Sequence, residues 1–182
     1  MTGWWRSNAV ALGALIVLVP ATYAALTWNE WSSVLQGSPS QAITVEPGDT
    51  VKYAGATVGP ASAEFTELPS VPQGAHVVTV TLHIDPGKHS KPGKPGKPTN
   101  PPISCSSPEL HEIGGLERQW NANDDLGREW DPDRWTFCDS DATGPYDLLL
   151  DYLVPVDVSG PFTVKLSSGV AVPEFVSAVV EP

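Results

Sequence analysis

The longest uninterrupted apolar segment lies close to the N-terminus of the chain. Residues 9–26 contain no charged side chain. Tryptophans flank this segment on both sides: Trp4, Trp5, Trp28 and Trp31. As an α-helix, the stretch between the inner two would rise about 34 Å, close to the thickness of a bilayer, and indole rings favour the membrane interfaces. The pattern therefore predicts a transmembrane helix at residues 9–28 with these four tryptophans at the interfaces.

A cleaved signal peptide is the alternative interpretation of the same segment, with a cleavage site at residues 22–24. We favour an uncleaved signal anchor, because Trp28 and Trp31 fit an interfacial belt better than the start of a mature chain. Arg6 is the positive charge on the short flank of the helix. By the positive-inside rule, residues 1–8 are cytoplasmic and the chain after the helix is extracytoplasmic.

The pattern changes after the anchor. Residues 29–42 form a predicted stem, and from residue 43 the chain shows short segments with apolar and polar residues in alternation, separated by glycine and proline. Period-two alternation is typical of strands with one buried and one solvated face. The predicted strands are residues 43–45, 50–58, 76–84, 147–154, 162–166 and 178–180. This pattern predicts an all-β fold, an immunoglobulin-like β-sandwich over residues 43–182.

The alternation also predicts which side chains form the core. On the strand at 76–84, Val78, Val80, Leu82 and Ile84 share one face. The other strands predict two further sets of core residues: Leu148, Leu150, Tyr152 and Val154, and Phe162, Val164 and Leu166. Thr79 and Asp151 are predicted on solvated faces.

The chain contains two cysteines, Cys105 and Cys138, both in the extracytoplasmic part. An oxidising compartment favours a disulfide between them, which would stabilise the fold by roughly 3–4 kcal/mol in the chain-entropy model. Two buried free thiols are the alternative. We favour the bond, because reactive cysteine pairs more often occur as Cys-x-x-Cys.

Charge is distributed unevenly along the chain. The formal net charge is −11, and the only concentrated positive charge after the anchor lies in a Lys-Pro-Gly repeat with Lys88, Lys91, Lys94 and Lys97. We predict a mobile loop at residues 86–102, because prolines and like charges oppose compact structure. Its lysines are candidate contacts for a polyanion, but we favour a tolerated surface insertion, because insertions in loops cost little free energy. The acidity of the remaining domain argues against nucleic acid as a partner.

The sequence offers little site chemistry. Residues 121–127 are rich in Asn and Asp, but the glycine falls one position too late for a calcium loop of the EF-hand type. A polar turn before a strand that contains Trp130 is the simpler interpretation. The four histidines show no zinc spacing, and no serine nucleophile motif occurs. We therefore expect no enzymatic activity, cofactor or metal.

Three tryptophans surround the cysteine loop: Trp120, Trp130 and Trp135. Aromatic side chains often pack against a disulfide in sandwich cores, so one or two of these indoles are expected inside. One that is exposed would be an anchor for a partner.

A few local motifs resemble those of uncharacterised actinobacterial envelope proteins with one N-terminal anchor and one extracytoplasmic immunoglobulin-like domain. They are Trp4-Trp5-Arg6-x-Asn8, Cys105, Leu126-Gly127-Arg128-x-Trp130, Cys138 and Val154-Pro155. The resemblance implies a non-enzymatic role in the envelope. The leading hypothesis is a membrane-anchored interaction module with a protein partner, such as an accessory subunit of a transporter or envelope assembly. The alternative is a ligand- or ion-binding sensor domain at the cell surface.

Overall fold

A computed structural model describes residues 3–87, 104–139, 142 and 144–182. The chain divides into two compact units, Met1–Ser38 and Pro39–Pro182. The first is helical and the second is built from strands.

The N-terminal unit is one helix, α1, at Gly3–Gly37. Its segment Asn8–Trp28 is 21 residues long with a mean hydropathy of 2.2, so it is long and apolar enough to cross a membrane. The indoles of Trp28 and Trp31 are exposed, as membrane-interface residues require. At Trp4 and Trp5 only the backbone is described.

The helix continues through most of the predicted stem at residues 29–42. No glycine or proline occurs between Trp28 and Gly37, and adding a residue to an existing helix is favourable where starting one is not. Gly37 and Pro39 then end it, because glycine weakens a helix and proline disfavours helical geometry in the residue before it. The connection to the first strand is therefore only residues 38–40.

The described residues of the second unit form nine strands. They are β1 Gln41–Val45, β2 Val51–Tyr53, β3 Ala56–Thr66, β4 Ala75–Asp85, β5 Glu109–Glu112, β6 Gln119–Asn121, β7 Tyr146–Pro155, β8 Phe162–Ser167 and β9 Glu174–Val180. Sheet A has the order β1-β9-β8-β5-β6 and sheet B the order β2-β3-β4-β7. Neighbouring strands are antiparallel except β1 and β9, which pair in parallel from Gln41 opposite Glu174 to Val45 opposite Ala178.

The inner faces of both sheets contribute to one hydrophobic core. All three sets of core residues predicted from the alternation are buried in it, which confirms the predicted faces of β4, β7 and β8. Phe162 and Tyr152 are among its largest fully buried side chains. At the edge of this core, the Tyr53 hydroxyl donates a hydrogen bond to the carbonyl oxygen of Glu174 at 2.9 Å. It also accepts a hydrogen bond from the amide of Ser168 at 2.8 Å.

Three details differ from the predicted strands. Residues 50–58 form a hairpin rather than one strand, since the chain turns at Ala54 and Gly55 with φ of 49° and 84°. Strands β5 and β6 were not predicted, because they are short and carry charged and polar residues. Trp130 lies outside any strand, so the predicted strand around it is wrong.

Cys105 and Cys138 lie at disulfide distance, with 5.6 Å between their Cα atoms. Their pairing agrees with the prediction and closes the segment between the start of β5 and the approach to β7. Both side chains pack against the hydrophobic core. Most of the predicted loop at residues 86–102, including Lys88, Lys91, Lys94 and Lys97, lies outside the described residues.

Removing residues 1–38 should release the protein from the membrane without unfolding the β unit, because the two units are separately compact. We expect the full chain to resist carbonate extraction from membranes. The shortened chain should remain in the soluble fraction with a β-rich far-UV circular dichroism spectrum. A shortened chain that unfolds, or a full chain extracted by carbonate, would contradict this division of roles.

Candidate interaction site

A buried carboxylate lies on the outer face of sheet B. Asp151, in the middle of β7, has only 1% of its side chain exposed. Arg128 binds it through two hydrogen bonds, from Nε to Oδ2 and from Nη2 to Oδ1, each 2.7 Å long. Arg134 donates a third from Nη2 to Oδ2 at 2.9 Å. One carboxylate therefore holds two guanidinium groups that are six positions apart in the sequence.

Thr79 completes the shell of this carboxylate. It lies on β4 directly opposite Asp151, and its hydroxyl donates to Oδ1 at 2.6 Å. The same hydroxyl accepts a hydrogen bond from Arg128 Nη2 at 3.0 Å. Burial by itself raises the pKa of Asp151, but the hydrogen bonds from Arg128 and Thr79 and the charges of both arginines outweigh it, so the pKa lies below its ordinary value.

Backbone hydrogen bonds also attach the segment that follows β6 to β7, the last strand of sheet B. Asn123 donates its amide to Asp151 O at 2.8 Å, and Leu149 donates its amide to Trp135 O at 2.8 Å. Leu126 is buried, and its carbonyl accepts the amide of Ser70 at 3.2 Å. The connection from β6 to β7 is thus held near its start and again in its middle. It covers part of the sheet face that the alternation predicted to meet water, which explains why Thr79 and Asp151 are buried.

Between the two arginines the chain projects outward as the Trp130 loop, residues 129–133. All five residues are exposed, and the Trp130 side chain is 85% exposed. Inside the loop, Asp131 Oδ1 accepts the amide of Asp133 at 2.9 Å, and Asp131 O accepts the amide of Arg134 at 3.2 Å. A large indole is therefore presented to solvent by a short, hydrogen-bonded loop on a fixed base.

The other two tryptophans of this region are partly buried. Trp135 packs against Tyr146 with 5.7 Å between ring centroids, and Trp120 meets the buried Phe162 edge-on at 6.1 Å. Both lie against the hydrophobic core, as expected for indoles near the cysteine pair. Trp130 is therefore the exposed member of the three.

A cleft of about 380 Å³ lies beside the base of the loop. It is lined by the acidic residues Asp131, Asp133 and Asp147, together with the half-buried Trp135 and the buried Tyr146. Arg134 also lines it but is hydrogen-bonded to Asp151. Asp147 contacts His83 Nδ1 at 2.7 Å. The cleft thus combines aromatic surface with exposed negative charge.

A second cleft, of about 400 Å³, lies on the outer face of sheet A. Its charged groups have partners within the domain: Glu109 contacts His111 Nε2 at 3.2 Å, and the Lys165 ammonium lies 5.9 Å from the ring centre of Phe175. Because Glu109 and Lys165 already have these partners, the cleft does not present a set of unpaired charged groups that would select a ligand.

In the part of the chain that the structure describes, no three His, Cys, Asp or Glu side chains are grouped so that they could hold a metal ion. In the predicted polar turn, Asn123 Oδ1 accepts the amide of Asp125 at 2.8 Å and Gly127 adopts a φ of 78°.

Asp151, Thr79 and Arg134 were not predicted as site residues, and Arg128 was noticed only as part of a motif. Trp130 was one of three tryptophans of which an exposed one was expected to anchor a partner. The signal that could have found the network is an acidic residue whose neighbours on the same face of the strand, Leu149 and Leu153, are both apolar and so predict a second buried face. An isolated carboxylate in such a strand requires a cation, because an unpaired buried charge is strongly unfavourable.

Asp151→Asn should destabilise the β unit by about 3 kcal/mol, because it leaves two arginines facing a neutral amide in a largely buried site. Urea unfolding followed by circular dichroism measures the change. Asp157→Asn is the matched control, since Asp157 pairs with Arg118 at an exposed position and should matter little. Equal stability of the two variants would contradict a central role for Asp151.

Acid should weaken the same network. Because the pKa of Asp151 is lower in the folded protein, its contribution to stability is complete above the ordinary carboxyl pKa of about 4 and disappears as the pH falls through the lower folded value. We expect the difference in unfolding free energy between wild type and Asp151→Asn to be constant near neutral pH and to shrink below about pH 4. A pH-independent difference would exclude this linkage.

Comparison of the chain with protein-family models, curated proteins and solved structures finds no match.

Proposed function

We propose that the protein is a membrane-anchored extracytoplasmic interaction module, an accessory subunit whose immunoglobulin-like domain contacts a protein partner through the Trp130 loop. The observation that carries this proposal is the 85% exposure of Trp130 on a loop whose two ends are bound to one buried carboxylate. The resemblance to actinobacterial envelope proteins stays a hypothesis and agrees with such a role.

The strand order supports an immunoglobulin-like sandwich. The neighbours β5-β8-β9 and β3-β4-β7 correspond to the C-F-G and A-B-E groups of that fold. The parallel pairing of β1 with β9 adds a strand to the first group. The cysteine pair departs from the usual inter-sheet bridge between strands B and F, because it joins two connections instead.

The extracytoplasmic location rests on two features of different kinds. The apolar helix supplies a membrane anchor, with Arg6 on its short flank. The cysteines lie at disulfide distance, and disulfides persist in oxidising compartments outside the cytoplasm. Each feature favours the same side of the membrane for the β unit.

The exposed indole fits a binding anchor. Tryptophan is enriched among the residues that dominate binding energy, because it buries a large area at a small loss of side-chain freedom. The arginines on either side of the loop fix its base, so little backbone order needs to be gained on binding. The alternative of a ligand- or ion-binding sensor stays a prediction.

Trp130→Ala should weaken partner binding by about 30-fold or more, the loss typical of a hot-spot tryptophan, without changing the melting temperature. The measurement is the amount of a larger complex, seen on native gels after mild solubilisation of membranes that contain the full chain. Leu116→Ala is the control, because Leu116 is similarly exposed on the hairpin between β5 and β6. A complex that survives Trp130→Ala unchanged would remove the loop from the interface.

A further inference from the structure

We infer that the partner of the Trp130 loop is a basic protein segment, which places a lysine or arginine side chain in the adjacent acidic cleft while the indole enters a pocket of the partner. This inference rests on the proposed function and specifies the chemistry of the contact.

Among the residues that the structure describes, the net charge around the loop is negative. Four carboxylates border the exposed indole or line the cleft: Glu129, Asp131, Asp133 and Asp147. Arg128 and Arg134 share the single negative charge of Asp151, which leaves one positive charge in excess. The formal balance of this surface is therefore about −3 with His83 neutral, which favours encounter with a positively charged partner.

The shape and lining of the cleft suit a cationic side chain. The half-buried Trp135 is its aromatic lining residue with solvent-accessible surface, and Asp131, Asp133 and Asp147 line the same space. A guanidinium or ammonium group is attracted both to the faces of aromatic rings and to carboxylates. An anionic or purely apolar side chain would remove water from these carboxylates without supplying a positive charge, which is unfavourable.

The same chemistry disfavours a lipid surface as the occupant. An exposed indole alone is compatible with a membrane interface. Here, however, the residues on both sides of it, Glu129 and Asp131, carry negative charge. Anionic headgroups would repel them, so we assign the surface to a protein.

The experiment places p-benzoylphenylalanine at Pro132, which is exposed within the loop, and keeps Trp130 intact. The full chain is irradiated in native membranes, and the crosslinked peptides are mapped by mass spectrometry. The same group at Val170, exposed on the turn between β8 and β9, is the control for non-specific capture. We expect a crosslink from Pro132, absent from Val170, to a protein segment rich in lysine or arginine.

Charge reversal then tests the sign of the contact. Glu129→Lys with Asp133→Lys should lower the crosslink yield by about tenfold, and raising the salt from about 0.05 M to 0.5 M should lower the wild-type yield similarly. Asp131 is left unchanged because its carboxylate accepts the amide of Asp133. Glu46→Lys with Asp49→Lys, exposed between β1 and β2, makes the same change in net charge as a control and should have no effect.

The outcomes separate the two proposals. A protein crosslink that is insensitive to charge reversal and salt, or that maps to an acidic or uncharged segment, overturns the basic partner but leaves the interaction module standing. Crosslinks to lipid alone, or no crosslink specific to Pro132, overturn both. If the reversed variant does not fold, the salt dependence of the wild-type crosslink decides.

Discussion

The carboxylate of Asp151 is shared by two arginines and a threonine, and the long connection between β6 and β7 depends on this contact. That connection carries few apolar side chains with which to pack, and most of its central residues are exposed. A buried charge with three charge-assisted hydrogen bonds supplies a fixed attachment where hydrophobic packing is sparse. Removing the carboxylate would free both ends of the Trp130 loop at once.

The cysteine pair and the Asp151 network constrain different parts of this connection. Cys138 ties its later part to the segment before β5, while the two arginines hold its middle to sheet B. One constraint is covalent and acts largely by restricting the unfolded chain. The other acts in the folded state and requires an ionised carboxylate. The exposed indole is therefore held by two kinds of interaction that respond to different conditions.

Sequence patterns predicted the parts of the fold that hydrophobic burial alone determines. The alternation along β4, β7 and β8 identified the core face, and the uncharged run after Asn8 identified the apolar helix. Short strands such as β5 and β6 escaped, because their polar side chains carry no periodic signal. The site escaped for another reason. The alternation along β7 predicts that Asp151 is solvated. Its burial depends on contacts with Arg128 and Arg134, which are distant in the sequence and are brought to it only by the fold.

The parallel pairing of β1 and β9 has a consequence for the order of folding. β1 begins four residues after the end of the helix, yet its only sheet neighbour in the described chain is β9, which is synthesised after all the other strands. The pairing of β1 in sheet A therefore cannot form until β9 has been synthesised. Contacts between such distant segments form slowly, because a long loop must be ordered first. Throughout that interval β1 presents an unpaired strand edge, with which a strand of another chain could pair.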